Sequence, residues 1–243
     1  MRKLVLQIRY GGIGDHLFYS HIPRVAKASG AFDQVFISNK SEFRLAETRR
    51  LVWELNPHLD GFTDEEGLYP SFADIPPDMN LLDFIMLQLG IDDGVRYHAP
   101  EMYYKPQKRA DLKTKSLYDP NFISFTGDIR AGRIEQYLSA TDKQIDYQFV
   151  RREKSIPINA GQDLATPTLA DYCQAIASCQ SFFCLMSGGA ELAAAMEKPA
   201  TVFFGDRHKR MFRHSKLHRY VDLGSATEPT PSGDSFRLSA SLS

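Results

Sequence analysis

Two strand, glycine-loop, helix units, one near each end of the chain, and strands alternating with helices between them predict an α/β protein with mostly parallel sheets. Parallel neighbours need a crossover, and an intervening helix supplies it. At 243 residues the chain is long enough for two small domains of roughly 100 to 150 residues each.

The first unit opens with an apolar strand over 3–9, carrying Leu4, Val5, Leu6 and Ile8. The loop Tyr10-Gly11-Gly12-Ile13-Gly14-Asp15 and an amphipathic helix over 16–28 follow. Its three glycines are like those of a dinucleotide-binding loop, but the G-x-G-x-x-G spacing is not met, and no acidic residue follows a second strand at the usual distance. Both facts argue against a nicotinamide site. Asp15 stands where the loop becomes the helix. Either it complements the helix start, the commonest role of an aspartate there, or it is a general base at the carboxyl end of the first strand, where open α/β sheets take their ligands.

A second strand is expected over 34–38, then a helix over 42–56 that stops before Pro57. Residues 57–80 hold Pro57, Gly61, Gly67, Pro70, Pro76 and Pro77 and are expected to be irregular. A helix over 81–90 follows, closed by Gly90. The polar, basic stretch Lys105 to Lys115 reads as a linker, which divides the chain into halves 1–115 and 116–224. In the second half, strands are expected over 121–126 and 147–150 and helices over 134–140 and 169–178. Thr168 and Asp171 are placed to cap the last of these.

The second glycine unit is the more informative. Ser181 to Leu185 suits a buried strand, 191–196 is Ala- and Leu-rich helix, and Lys198-Pro199 stops that helix before a strand over 200–204. Between strand and helix lies Ser187-Gly188-Gly189. Glycines let the backbone approach a ligand closely, and the first free N–H groups of the helix aim at it with the positive end of the dipole behind them. A diphosphate fits such a turn. A tight βα loop that binds nothing uses the same glycines.

Net charge −1 gives no global preference for nucleic acid. Met1-Arg2-Lys3-Leu4 leads directly into a strand, and no apolar run approaches the roughly 20 residues that span a bilayer, so a cytoplasmic protein is expected. Cys173, Cys179 and Cys184 read as reduced core thiols. His208, His214 and His218 lack metal-ligand spacing, and no metal site is expected. The basic run 207–219 is either a solvated face or an attractor of a phosphorylated group. The Ser-, Thr- and Pro-rich segment 225–243 reads as a disordered tail.

Gly11-Gly12-Ile13-Gly14-Asp15, taken with S-G-G-x-x-L-A-A-A from Ser187 and K-P-A-T-V-F-F-G from Lys198, resembles glycosyltransferase family 9, the heptosyltransferase type. The resemblance implies a GT-B fold, with two Rossmann-like domains facing a cleft. It further implies metal-independent, inverting transfer of a sugar, heptose in the best-known members, from a nucleotide diphosphate donor to a glycan or lipopolysaccharide-type acceptor. No cofactor is implied, and a lipid-linked acceptor brings a peripheral membrane contact with it. On this resemblance Asp15 is the catalytic base, and Gly11, Gly12, Gly14, Thr126, Arg130, Arg133, Ser187, Gly188, Gly189 and Glu191 form the donor site. Ser187 to Gly189 hold the diphosphate, and Arg130 or Arg133 neutralises it. Glu191 either binds a ribose or sugar hydroxyl or complements the helix dipole, and Gln162 or Asp163 touches the base. Met186, Gly189 and Glu191 stand where the family usually has Asp, Pro and His, which leaves the donor's identity open. The competing readings are a nucleotide-sugar-binding protein without catalysis and a GT-B-like 2-epimerase.

Overall fold

The computed structural model describes residues 1–70, 75–76, 78–123, 126–206, 213 and 216–224. The chain begins with β1 (Lys3–Leu6), α1 (Ile13–Leu17), α2 (Ile22–Ala28), β2 (Gln34–Ser38), α3 (Ala46–Thr48, continued by π turns over Arg49–Glu54), β3 (Gly61–Thr63) and α4 (Leu81–Gln88). After a 3₁₀ turn at Ala110–Leu112 come β4 (Ser116–Asp119), α5 (Ala131–Ala140), β5 (Tyr147–Phe149), β6 (Gln162–Leu164), α6 (Leu169–Ser178), β7 (Ser181–Leu185), α7 (Gly188–Ala195), β8 (Ala200–Phe204) and β9 (Arg219–Asp222).

These strands form two parallel sheets, one of three strands in the order β1-β2-β3 and one of six in the order β6-β5-β4-β7-β8-β9. The α/β class with parallel sheets is therefore as expected. In the larger sheet the strand order is that of a doubly wound nucleotide-binding fold. β7 shows why it is central: Phe182 and Cys184 enter one hydrophobic cluster, while Phe183 and Leu185 enter another on the opposite face. A strand covered on both faces reads as an unbroken apolar run. The first cluster extends without interruption from Leu4, Leu6 and Ile37 of the small sheet to Ala190, Leu192 and Val202 around α7 and β8. All three cysteines are free and buried.

Several boundaries differ from expectation, each for a local reason. β1 ends at Leu6 because Gln7 and Leu68 exchange their bonds elsewhere: Gln7 N donates to Leu68 O at 3.0 Å, and Leu68 N donates to Val5 O at 2.8 Å. Residues 67–69 thus run along the free edge of β1. The helix expected over 16–28 is two helices, with the second starting at Ile22 and carrying Pro23 in its first turn, where a missing N–H costs nothing. The helix expected from 42 starts at Ala46, since Glu42 N and Arg44 N donate instead to Ile8 O and Gly11 O, both at 2.9 Å. The strand expected over 121–126 lies earlier, at β4, while Asn121 forms only an isolated bridge to Ser155 and 124–125 fall outside the described residues. β3, β6 and β9 are additional three- or four-residue strands, too short and polar to leave a period-2 signal. The last begins inside the basic run, at Arg219. The tail expected over 225–243 lies outside the described residues, as do His208 and His214.

Candidate active site

The larger sheet reverses its winding between β4, which leads outward to β5 and β6, and β7, which leads to β8 and β9. At such a switch point the two crossovers leave in opposite directions and open a crevice at the carboxyl ends of the strands. Asp119 closes β4 on one side of it, and Ser187-Gly188-Gly189 follows β7 on the other. Ser187 is the N-cap of α7, and its Oγ accepts from Gly189 N at 3.4 Å. Helix α7 begins at Gly188, three residues before the start expected from its Ala-rich stretch, because the capping serine draws the glycines into its first turn.

The two glycine loops, 174 residues apart between Gly14 and Gly188 by numbering, meet in space. Helix α1 packs on α7. A Cβ on Gly14 would lie 3.3 Å from Gly188 Cα, and one on Gly188 would lie 2.9 Å from Ile13 Cγ2. Two side-chain-free residues let the backbones approach this closely, which brings Gly14, the residue before Asp15, to the start of α7.

Asp15 itself is half-buried. Its Oδ2 accepts from Gly12 N at 3.1 Å, and a Cβ on Gly12 would meet that oxygen at 2.7 Å. Burial pushes its carboxyl up to about 6, against the opposing pull of the Gly12 amide and the Arg44 guanidinium. A carboxylate tuned to that value is ionised at neutral pH yet basic enough to accept a proton. The loop carrying it is pinned from beneath by His16, whose Nδ1 accepts from Trp53 Nε1 at 2.9 Å and whose Nε2 donates to Glu42 O at 2.7 Å. Those partners fix a neutral tautomer, and burial takes the imidazole down to about 4. His16 is therefore a positioning residue, and the same bonds bring Arg44, two residues after Glu42, to the Asp15 loop. Neither Arg44 nor Trp53 carries a sequence signal for this role, because the contacts join segments that only the fold brings together.

Asp119 escaped the sequence reading because its strand was expected five residues later. The carboxyl is buried beneath the α7 turn. One oxygen accepts from the Tyr172 hydroxyl, and the other accepts from Asn121 N and Asn121 Nδ2, each at 3.0 Å. Burial raises the Asp119 carboxyl above its ordinary range, with these bonds opposing. A Cβ on Gly189 would stand 2.7 Å from Asp119 Oδ2 and collide with the Tyr172 hydroxyl, so this position of the turn needs a glycine for space. The retrospective signal is an aspartate that ends a short apolar strand just before Pro120-Asn121.

Glu191 is placed differently from a hydroxyl-binding residue at an open cleft. Its side chain is buried against Gly14, and desolvation raises its carboxyl well above the usual value. Thr126 lies along the end of β8, where Gly205 N donates to Thr126 O at 3.0 Å and Asp128 N to Asp206 O at 3.2 Å, and Arg130 and Arg133 stand at the N-cap and in the first turn of α5. They share the carboxyl edge of the sheet with Ser187. Among the described residues neither guanidinium bonds to the Ser187 turn. Gln162 and Asp163 sit in the edge strand β6, with β5 and β4 between them and the switch point. His218 donates through Nε2 to Ala190 O at 2.9 Å and so fixes the entry to β9 against α7. No group of three His, Cys, Asp or Glu side chains suited to a metal ion occurs among the described residues. No helix among them is long and apolar enough to cross a membrane.

With this geometry the chain has the fold of the nucleotide-sugar transferases grouped as glycosyltransferase family 9. The solved structure of such a protein from Veillonella parvula superposes with a TM-score of 0.60 at 11% identity, over 92% of this chain and 86% of that one. The ADP-heptose lipopolysaccharide heptosyltransferase II of E. coli superposes with a TM-score of 0.53 at 14% identity, over 91% and 90%. The dodecameric, iron-containing heptosyltransferase TibC, in complex with ADP-D-β-D-heptose, superposes with a TM-score of 0.60 at 13% identity, over 89% of this chain and 62% of that one. No family model and no curated protein matches the sequence.

Proposed function

We propose that this protein is a metal-independent, inverting glycosyltransferase that moves a sugar of the heptose class from a nucleotide diphosphate donor to a glycan or lipopolysaccharide-type acceptor. The reading places the reaction in the cytoplasm, with halves 1–115 and 116–224 acting as acceptor-side and donor-side domains. One observation carries it: the Gly14 and Gly188 contact, which brings the loop of Asp15, whose carboxyl is raised to about 6, against the first turn of α7 at the switch crevice.

In this mechanism Asp15 takes the proton of an acceptor hydroxyl as that oxygen attacks the anomeric carbon. The bond from that carbon to the phosphate oxygen breaks on the opposite face, and the configuration inverts. The nucleoside diphosphate leaves toward the backbone N–H groups of the Ser187 to Gly189 turn, where fixed dipoles and nearby cations hold the developing charge. On the β8 side Thr126, Arg130 and Arg133 form the other rim of the donor cleft, and Gly11, Gly12 and Gly14 form its floor on the Asp15 side. TibC, of similar fold, is in complex with ADP-D-β-D-heptose, which makes an adenine nucleotide the first to try.

The decisive experiment is transfer and donor binding by Asp15→Asn. Loss of transfer by about 10²- to 10⁴-fold, the usual worth of a general base, with donor affinity near wild type, is the expected result. Transfer at the wild-type rate removes Asp15 from the chemistry. Wild-type transfer is expected to continue in the presence of a chelator.

A further inference from the structure

We infer that Arg152, rather than Arg130 or Arg133, is the cation that neutralises the diphosphate at the α7 turn; the inference rests on the donor-site reading above. Arg152 lies just beyond β5, on the β4 side of the switch crevice. Its backbone N donates to Asn121 Oδ1 at 2.7 Å, while Asn121 N and Nδ2 donate to the Asp119 carboxyl at 3.0 Å. Asn121 Nδ2 also donates to Val150 O at 3.1 Å, which ties down the segment leading to Arg152. Two hydrogen-bonded steps therefore root Arg152 on the carboxyl that floors the turn, and Asp119 Oδ2 is 2.7 Å from the Cβ position of Gly189.

From that anchor the side chain projects into solvent, and among the described residues it makes no ion pair or side-chain hydrogen bond. Its charge acts on Asp119 and Tyr172, the two groups directly beneath Gly189. Among the described residues no comparable chain of bonds runs from the turn to Arg130 or Arg133, whose segment is instead tied through Thr126 and Asp128 to Gly205 and Asp206. A guanidinium on a fixed backbone, with its donors unspent and a neighbouring amide-lined turn, matches the two outer oxygens of a diphosphate in charge and fork geometry. Lys154 serves another end: its Nζ donates to Ile123 O at 3.0 Å.

The test is calorimetric titration of the full chain with ADP, GDP, UDP and CDP, and with the matching nucleosides. Wild type is expected to bind one of the diphosphates. Arg152→Gln is expected to weaken that diphosphate about 10- to 100-fold, the usual size of a charge-assisted contact. Its affinity for the nucleoside stays within twofold, and Arg130→Gln and Arg133→Gln weaken the diphosphate less than Arg152→Gln does. Diphosphate binding by Arg152→Gln within twofold of wild type overturns the assignment and leaves the donor-site reading standing. Equal weakening of diphosphate and nucleoside also overturns it, because a merely structural residue behaves that way. If wild type binds none of the four diphosphates, the donor-site reading fails and the assignment fails with it.

Discussion

Asp15→Asn separates the two things its carboxylate does, because the same burial that makes it a base costs the protein stability. Its carboxyl ionises at 3.8 when unburied and at about 6 in the folded chain, so between those values the folded state holds a proton that the unfolded state has lost. Stability from this group is accordingly greatest below pH 3.8, falls as pH rises toward 6, and is lowest and flat above that. At about 1.4 kcal/mol per pH unit the full rise corresponds to about 3 kcal/mol, and partial exposure of the side chain reduces this to about 1–2 kcal/mol. Asparagine keeps an oxygen for the Gly12 amide, 3.1 Å away, and carries no charge to desolvate. Urea denaturation of wild type and variant at pH 3.5 and pH 8 measures the effect. At pH 8 the variant is expected to be more stable by that amount, and at pH 3.5 the two curves are expected to converge. A variant that is no more stable than wild type at pH 8, or is displaced equally at both pH values, refutes the account of Asp15 as a half-buried, ionised base.

Arg44 holds the Asp15 carboxyl below the value burial alone would give, so Arg44→Gln is expected to raise it and move the acid limb of the kcat/KM profile upward. At pH 6 the loss of rate is about two- to threefold, as suits an exposed charge, and it vanishes at pH 8; a pH-independent loss sinks the electrostatic explanation. Gly189→Ala drives a methyl group against Asp119 Oδ2 at 2.7 Å and against the Tyr172 hydroxyl, and is expected to cost about 2–3 kcal/mol in urea unfolding. Combined with Tyr172→Phe, which removes one of the two obstructing oxygens, the loss is expected to be smaller than the sum of the single losses; strict additivity shows that the clash is not the cause.

Much of the larger sheet was legible because its central strands are buried on both faces. Ser181 to Leu185 and Ala200 to Phe204 appear as unbroken apolar runs with the expected limits, and Thr168 with Asp171 marks the start of α6 within one residue. Edge strands were not legible. Gln162–Leu164 and Arg219–Asp222 each bury little, so their residues are chosen by solvent and carry no periodicity. β4 was misplaced for a related reason: Asp119 breaks its apolar pattern, and what makes that carboxylate tolerable is a set of bonds from Tyr172 and Asn121 that no local pattern displays.

The sequence by itself determined the class of fold and the existence of two glycine turns, each set between a strand and a helix, because glycine, a capping serine and an apolar strand are local choices with local causes. Only the tertiary structure decided that the turns touch, that Asp15 is tuned to about 6, that Glu191 is buried, and that Asp119 lies beneath Gly189. Each of these depends on how much water and which charges surround a side chain. Those surroundings are supplied by segments distant in the sequence, or by strands whose order in the sheet is not their order in the chain.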